Sequence, residues 1–392
     1  YMILIFFLAF SSSCKGRTPL RPVVKRDTTI TKSNAYSDLF LDSTKLENFI
    51  ITDHTESEPA QKLRNFYNSR NYQFAWFTKT GLAEHTRVFW NLQQSHIALI
   101  NDSTLLNRTL AKKIDHMMVK DTVIKDNSAE ITGTELSLTL QFFKYVEHAY
   151  AGTVDPEEFS WHIPRKKVNE MDLLDSLIAN KGQHLESWEP VNPQYQLMKA
   201  KLLEIYDLEK AGTWRSILPT PKRGLDQGDT SFLIRRIKKR LIALKDYPAG
   251  DTSKTYNVSF IPAVKRAQAQ FGFNPDGIID ARLIAALNVP LKDRIRQMLI
   301  NMERMRWFPV QPAGSYILAN IPEFKLHVFE GSKKVFDIDI IVGKEANRTI
   351  IFNGMLKYVV FSPYWNVPPS IVEKEILPAI RRNPNYLRAN NM

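Results

Sequence analysis

Apolar residues recur at helical spacing through the first half of the chain. The repeat is about 3.6 residues, as expected when one face of each helix packs against a core. One helix is predicted over residues 134–150, with Thr134 as its N-cap and Gly152 at its C-terminal end. We therefore predict one mainly helical domain over residues 45–212. The apolar positions behind this prediction include Leu63, Phe66, Tyr67, Leu136, Leu140, Phe143 and Val146.

A second, smaller helical unit is predicted over residues 228–290. Its first helix, residues 230–244, has apolar residues along one face and basic residues around the rest, which predicts a solvated basic surface. Helices over residues 261–271 and 283–287 complete the unit. The five basic residues of the first helix are Arg235, Arg236, Lys238, Lys239 and Arg240.

From Tyr316 onward the pattern changes to the alternation that is typical of strands. Gly331 and Ser332 stand where a hairpin turn is expected. We predict a multidomain α+β fold that ends in an incomplete all-β domain. The strands are predicted at 316–321, 325–330, 335–342 and 356–361, and a helix is predicted at 371–381.

The first residues predict an export signal. Residues 2–10 are an apolar run, shorter than the ~20 residues that span a bilayer but of the size of a signal-peptide core. Cys14 follows Ser11, Ser12 and Ser13, an arrangement that resembles a bacterial lipoprotein cleavage site and implies lipidation of Cys14. An unlipidated cysteine or the stub of a membrane anchor are the alternatives. Residues 1–14 are thus the signal segment, and residues 15–44 are predicted to be a solvated tether.

Composition and charge narrow the function classes. The chain has 392 residues and a formal net charge of +12, with hydrophobic residues at 44%, which excludes a largely disordered protein. Residues 215–312 hold 18 Lys and Arg against 8 Asp and Glu. Such a region attracts polyanions, including nucleic acid, anionic lipid and acidic cell-wall polymer. The export signal argues against nucleic acid.

The residue types argue against a metal or cofactor. A single cysteine, Cys14, excludes a disulfide framework and any multi-thiolate metal site. Asn274, Asp276 and Asp280 lack the remaining ligands of a calcium loop, so they are interpreted as turn residues. We expect no metal and no cofactor.

The small helical unit resembles the peptidoglycan-binding domain family over about residues 228–290. The alternative is a generic three-helix bundle with a solvated basic face. The resemblance implies peptidoglycan as a partner. It rests on Gly228-Asp229, Leu241-x-x-Leu244, Ala263-Val264-x-x-x-Gln268-x-x-Phe271-Gly272, Asp276-Gly277 and Ala286-Leu287-Asn288.

The C-terminal region resembles the YkuD-type catalytic domain of large Gram-negative L,D-transpeptidases. The string Tyr364-Trp365-Asn366-Val367-Pro368-Pro369-Ser370-Ile371 is its most specific part. The family shares the domain order predicted here: export signal, helical scaffold domain (45–212), peptidoglycan-binding domain (228–290) and catalytic domain, of which residues 313–392 would be the N-terminal part. Further matches are Ile321-Pro322-x-Phe324-x-Leu326, Val342-Gly343-Lys344, Thr349-Ile350-Ile351-Phe352 and Ile376-Leu377-Pro378.

This resemblance implies a cysteine acyl-enzyme, with a nucleophile in a Ser-x-Gly-Cys segment and an upstream His as base. Such a cysteine is missing from the sequence, because Cys14 lies in the export signal. His327 is interpreted as a residue on a strand face, and Asp337 and Asp339 as outward-pointing residues that are not a catalytic pair. We therefore expect the catalytic residues downstream of Met392 and an inactive 392-residue chain.

Four residues are candidates for the wall of a peptide groove: Tyr358, Tyr364, Trp365 and Asn366. Aromatic rings and an amide can hold an extended peptide, although such rings also fill core edges. The expected location is the cell envelope, in the periplasm, with membrane anchoring through a lipid on Cys14. The alternative function is a non-catalytic envelope lipoprotein that binds peptidoglycan and acts as a scaffold.

Overall fold

The computed structural model describes residues 23–119, 124, 128–159, 161–163, 166–184, 189–308, 314–344 and 349–392. The first part is a helical domain with two very short strands between its second and third helices. Its elements are α1 (Ser43–Thr52), α2 (Ser57–Ser69), β1 (Phe77–Thr78), β2 (Gly81–Leu82), α3 (Glu84–Ile100), α4 (Arg108–Val119), α5 (Ala129–Val146), β3 (Trp161–His162), α6 (Glu170–Ala179) and α7 (Pro193–Lys210).

Helix α5 lies at the centre of this domain and packs against aromatic residues of its neighbours. It begins at Ser128, whose hydroxyl accepts the N–H of Ile131, so the predicted N-cap at Thr134 is wrong. Thr134 instead donates its hydroxyl to the carbonyl of Glu130, one turn earlier. The helix ends in a π-helical turn over Glu147–Ala151, and Gly152 follows with φ of 84°, as predicted for a C-terminal cap.

Residues 23–42, which composition assigned to the tether, lie against the helical domain. The N–H of Val24 donates to the Asn65 side chain at 2.9 Å, and the Asn71 side chain donates to the carbonyl of Ile30 at 2.6 Å. Leu41 is buried. Polar side chains of α2 and the turn after it thus hold this segment against the helical domain.

The smaller unit is formed by α8 (Phe232–Ala243), α9 (Ile261–Gln270) and α10 (Ala281–Asn288). Its three helices match the predicted ones and enclose a core of their own. The chain enters through residues 213–217, and Asn288 at the end of α10 exchanges hydrogen bonds with the N–H and carbonyl of Ile217. The entering and leaving segments are therefore joined at one edge of the unit.

Helix α11 (Leu291–Trp307) returns the chain to the helical domain. It packs antiparallel to α7, with Leu202 and Met302 both fully buried in their shared core. The guanidinium of Arg306 donates to the Tyr195 hydroxyl, and Lys292 lies 3.9 Å from Glu209 at the opposite end. The three-helix unit is thus inserted between two helices that pack on each other.

The alternating segment forms an antiparallel sheet of β4 (Ser315–Asn320), β5 (Lys325–Glu330) and β6 (Lys333–Asp339). The predicted hairpin at Gly331 joins β5 to β6, and Leu318, His327 and Asp337 lie opposite one another. The last strand ends at Asp339 rather than at residue 342. Phe336 and Ile338, on the other face of the sheet, are about half exposed.

Residues Phe352–Met392 form a separate compact unit, which begins at the end of β7 (Ile351–Phe352). The strand predicted at 356–361 is wrong, because this stretch has no regular secondary structure. Its backbone makes no strand ladder with the described residues, and alternation alone does not satisfy the N–H and carbonyl groups of a strand. The predicted helix is confirmed as α12 (Pro369–Ile371), a π-helical turn (Val372–Ile376) and α13 (Leu377–Arg382), followed by α14 (Tyr386–Ala389).

The architecture confirms the predicted multidomain α+β class. Within the part of the chain that the structure describes, no helix combines the length and apolar character that crossing a membrane requires.

Candidate functional site

Helix α8 divides its cations between the core and the surface. Arg235, Arg236 and Lys239 are exposed, as predicted, but Lys238 and Arg240 have 0% and 6% of their surface exposed. The prediction of a fully solvated basic face is wrong for these two residues. Each of them meets acceptor groups from segments that are distant along the chain, which the helical pattern does not reveal.

The ammonium group of Lys238 has all three of its donors occupied. It donates to the Asp251 carboxylate at 2.6 Å, to the Ser253 hydroxyl at 2.9 Å and to the carbonyl of Thr255 at 2.8 Å. The hydrogen bond from Lys238 to the Asp251 carboxylate, together with a second one from the Tyr247 hydroxyl, holds the pKa of Asp251 far below its usual range. Lys238 therefore pins the loop after α8 and offers no free charge to a ligand.

Arg240 joins the inserted unit to the chain that enters it. Its guanidinium lies 3.4 Å from the centre of the Trp214 ring and donates to the carbonyls of Leu287 and Arg215. Burial lowers the pKa of Arg240 to about 10, so the side chain stays charged at neutral pH. A planar guanidinium can stack on indole and donate in its own plane at the same time, as it does here.

The turn between α9 and α10 is stabilised by side chains that include the predicted turn residues. Gln268 donates to Asp276 at 2.8 Å and accepts the N–H of Gly277 at 2.9 Å. Asp280 caps α10 by accepting the N–H of Leu283. Interpreting Asp276 and Asp280 as turn residues is confirmed, and no group of three or more metal-ligating side chains occurs among the described residues.

His327 lies on β5 and is 8% exposed, on a strand face as predicted. Its Nε2 lies 2.9 Å from the carboxylate of Glu323, and its Nδ1 lies 3.8 Å from that of Asp337. Asp337 and Asp339 pair with Lys334 and Lys325, respectively. None of the described residues is a cysteine, so His327 activates no thiol among them.

The predicted groove residues lie in the irregular segment before α12. Tyr358, Tyr364 and Trp365 are 78%, 98% and 63% exposed, and Asn366 is exposed as well. The described residues therefore do not bury these rings in a core, and the groove role stays a prediction. Cys14, the predicted lipid anchor, lies outside the described residues.

The burial of Lys238 and the stacking of Arg240 on Trp214 are the features of the site that sequence reasoning missed. The sequence signal for the first was Asp251, an acid in a turn-rich loop after the end of α8. Nothing in the local sequence indicated the second.

Comparison with known proteins assigns a family to each part. A "Scaffold domain" model matches residues 61–202, a "Putative peptidoglycan binding domain" model matches residues 233–287, and an "L,D-transpeptidase catalytic domain" (YkuD) model matches residues 314–392. A Haemophilus influenzae protein named "Putative L,D-transpeptidase" is 29% identical over 96 residues, which are 24% of this chain. The chain spans about a fifth (19%) of the length of that curated relative. The three matches lie on one chain in the order scaffold, peptidoglycan-binding and L,D-transpeptidase catalytic domain, and the chain is similar to L,D-transpeptidases over residues 314–392.

Proposed function

We propose that this protein acts on peptidoglycan in the cell envelope as an L,D-transpeptidase. One observation carries the proposal: the peptidoglycan-binding match at 233–287 and the catalytic-domain match at 314–392 lie on one chain. A domain that holds the polymer raises its local concentration for a domain that modifies it. The substrate would be the peptide stem of peptidoglycan.

The proposed reaction transfers an acyl group through a cysteine thioester. A thiolate attacks a carbonyl carbon of the tetrapeptide stem, and the terminal amino acid leaves as the free amine. An acceptor amine then attacks the thioester, forms the new amide and restores the thiol. A neighbouring base is needed because a cysteine with an ordinary pKa of about 8.5 is mostly protonated at neutral pH.

The exposed residues Tyr358, Tyr364, Trp365 and Asn366 are proposed to line the groove that holds the stem peptide. Their exposure supports this role, because the rings offer apolar faces to a ligand and the Asn366 amide offers both a donor and an acceptor. An extended peptide needs both kinds of contact along its length.

We further propose that residues 1–392 alone form no acyl-enzyme, because their single thiol, Cys14, lies in the proposed export signal. Intact-mass spectrometry after incubation with a carbapenem tests this, since the family resemblance makes that compound an acylating probe. We expect an unmodified mass. A Cys14→Ser chain is the matched control, and an adduct that persists in this variant would contradict the proposal.

The second candidate is a non-catalytic envelope scaffold that binds peptidoglycan. The observation that favours it is that the scaffold and peptidoglycan-binding matches, at 61–202 and 233–287, lie outside the catalytic-domain match. The two candidate functions predict different results when the protein purified from its native bacterium is treated with a carbapenem. A carbapenem adduct on that protein supports the enzyme, and sacculus binding without any adduct supports the scaffold.

A further inference from the structure

Helix α8 carries a narrow exposed stripe of one aromatic and three cationic residues. Phe232, Arg235, Arg236 and Lys239 are all exposed, whereas the intervening Leu233, Ile234 and Ile237 are buried. At 3.6 residues per turn, these four positions fall within an arc of about 100° around the helix axis. We call these four residues the α8 stripe.

No carboxylate of the described residues neutralises the cations of the α8 stripe. Among the residues that the structure describes, Arg235, Arg236 and Lys239 form no ion pair, and Arg236 makes one long hydrogen bond of 3.5 Å to the carbonyl of Ser216. Lys238, one residue away, is paired with Asp251 in the interior. The stripe therefore presents its positive charge to solvent.

Phe232 adds an apolar group to this charge. It is 68% exposed, and the ammonium of Lys254 lies 3.6 Å from its ring centre. Lys254 also forms no ion pair within the described residues, so it contributes a fourth free cation beside the ring. An exposed phenyl ring surrounded by cations does not serve the core.

We propose that the α8 stripe docks on the surface of an anionic lipid membrane. A soluble polyanion can neutralise the cations but offers no apolar surface to the phenyl ring. The lipid headgroup region supplies both contacts, because its phosphates attract Lys and Arg while its boundary with the acyl chains accepts an aromatic ring. The inference goes beyond the proposed function and does not require transpeptidase activity.

The test is co-sedimentation of the 392-residue chain with vesicles of phosphatidylglycerol and, separately, of phosphatidylcholine. The variant Arg235→Gln/Arg236→Gln/Lys239→Gln removes the charge of the α8 stripe. Each basic residue near an anionic surface contributes about fivefold to binding, so the variant, which lacks three of them, should bind phosphatidylglycerol about a hundredfold more weakly. Binding to phosphatidylcholine should not change. The apolar run at residues 2–10 is present in every variant and cancels from these comparisons.

The matched control is Arg381→Gln/Arg382→Gln/Arg388→Gln, which removes the same charge from exposed positions elsewhere. It should change binding by less than about twofold, because these three residues do not belong to the α8 stripe and salt screens charges that are not in contact with the lipid. Phe232→Ser should weaken binding to phosphatidylglycerol, whereas Leu197→Ser, at an exposed position of α7, should not. Circular dichroism verifies that each variant is folded.

Binding to purified sacculi is measured in parallel. The inference is supported if the α8-stripe variants lose vesicle binding and keep sacculus binding. It is overturned if they bind phosphatidylglycerol like the unchanged chain, if both triple variants lose binding equally, if Phe232→Ser has no effect, or if sacculus binding falls together with vesicle binding. An unchanged chain that fails to bind sacculi would contradict the peptidoglycan-binding part of the proposed function and leave the vesicle result standing.

Discussion

Lys238 donates to Asp251 across 2.6 Å from a position at which its own side chain is completely buried. The carboxylate keeps 28% of its side-chain surface exposed, so only one partner of this ion pair gives up all of its water. The arrangement is favourable because the remaining two N–H groups of the ammonium also find acceptors. The pair thereby fastens the loop after α8 to the helix.

Replacing Lys238 with Met should destabilise the three-helix unit by about 2–3 kcal/mol, because the Ser253 hydroxyl, the Thr255 carbonyl and the Asp251 carboxylate lose their shared donor. Hydrogen exchange of the α8 amides measures the change. Lys239→Met is the matched control, since the same substitution at the exposed neighbour should stay within about 0.5 kcal/mol. Equal effects of the two variants would show that the burial of Lys238 has no energetic consequence.

Glu135 should make the stability of the helical domain depend on pH. Burial raises the pKa of this carboxyl to about 7, although the N–H groups of Ala75 and Trp76 donate to it. Between pH 4.5 and pH 7 the folded state therefore holds a proton that the unfolded state has released. The contribution of Glu135 falls as pH rises through this window, by up to about 3 kcal/mol, and is level above it.

Two histidines act in the opposite direction, because burial lowers the pKa of His85 to about 4 and that of His96 to about 3. The contribution of Glu135 is therefore the difference between the unchanged chain and Glu135→Gln in urea unfolding at several pH values. The free energy of unfolding of the unchanged chain, measured relative to that of Glu135→Gln, should fall as pH rises from 4.5 to 7. A constant difference over that window would mean that Glu135 keeps one protonation state throughout.

Gly152→Ala should destabilise the junction between α5 and α11. The added Cβ would lie 2.7 Å from the Glu303 carboxylate and 3.0 Å from the Trp307 ring, at a residue with φ of 84°. Steric conflict and backbone strain together should cost about 2 kcal/mol or more in thermal unfolding. Gly133→Ala is the control: it lies inside α5 with nothing within 4 Å, so it should stabilise by about 0.5–1 kcal/mol.

If Cys14 is the lipid anchor, Cys14→Ala should abolish labelling by fatty acid when the chain is exported in a bacterium. The protein should then fractionate with the soluble periplasm, because a membrane anchor of this kind depends on its acyl chains. Ser13→Ala, which keeps the thiol, should retain the label. Membrane association that does not change in Cys14→Ala would point instead to an uncleaved apolar anchor.

Binding of the 392-residue chain to purified sacculi should weaken as salt is raised. The exposed cations of residues 215–312 that lie outside the α8 stripe act over roughly 8 Å at physiological ionic strength, and added salt shortens this range. Binding that remains at high salt would measure the contribution of shape complementarity. Failure to co-sediment at low salt would refute peptidoglycan binding by this protein.

The sequence by itself determined the elements whose cause is local. The 3.6-residue repeat predicted α5 and α8–α10, because a helix face must be apolar wherever it meets a core. Gly331 predicted the β5–β6 hairpin, because glycine adopts the positive φ of 59° found there at no steric cost. The domain order followed from short strings such as Tyr364-Trp365-Asn366, which need no contact elsewhere to be recognised.

Only the tertiary structure decided what depends on partners distant in the chain. Lys238 and Lys239 are adjacent and chemically identical, yet one is buried and the other exposed, because the loop that carries Asp251 covers one side of α8. In the same way Asn65 and Asn71 hold residues 23–42 on the helical domain, and Tyr195 meets Arg306, which lies 111 residues later in the chain. Composition reports an average preference for water, whereas burial of a polar group requires a specific partner, and the fold alone supplies that partner.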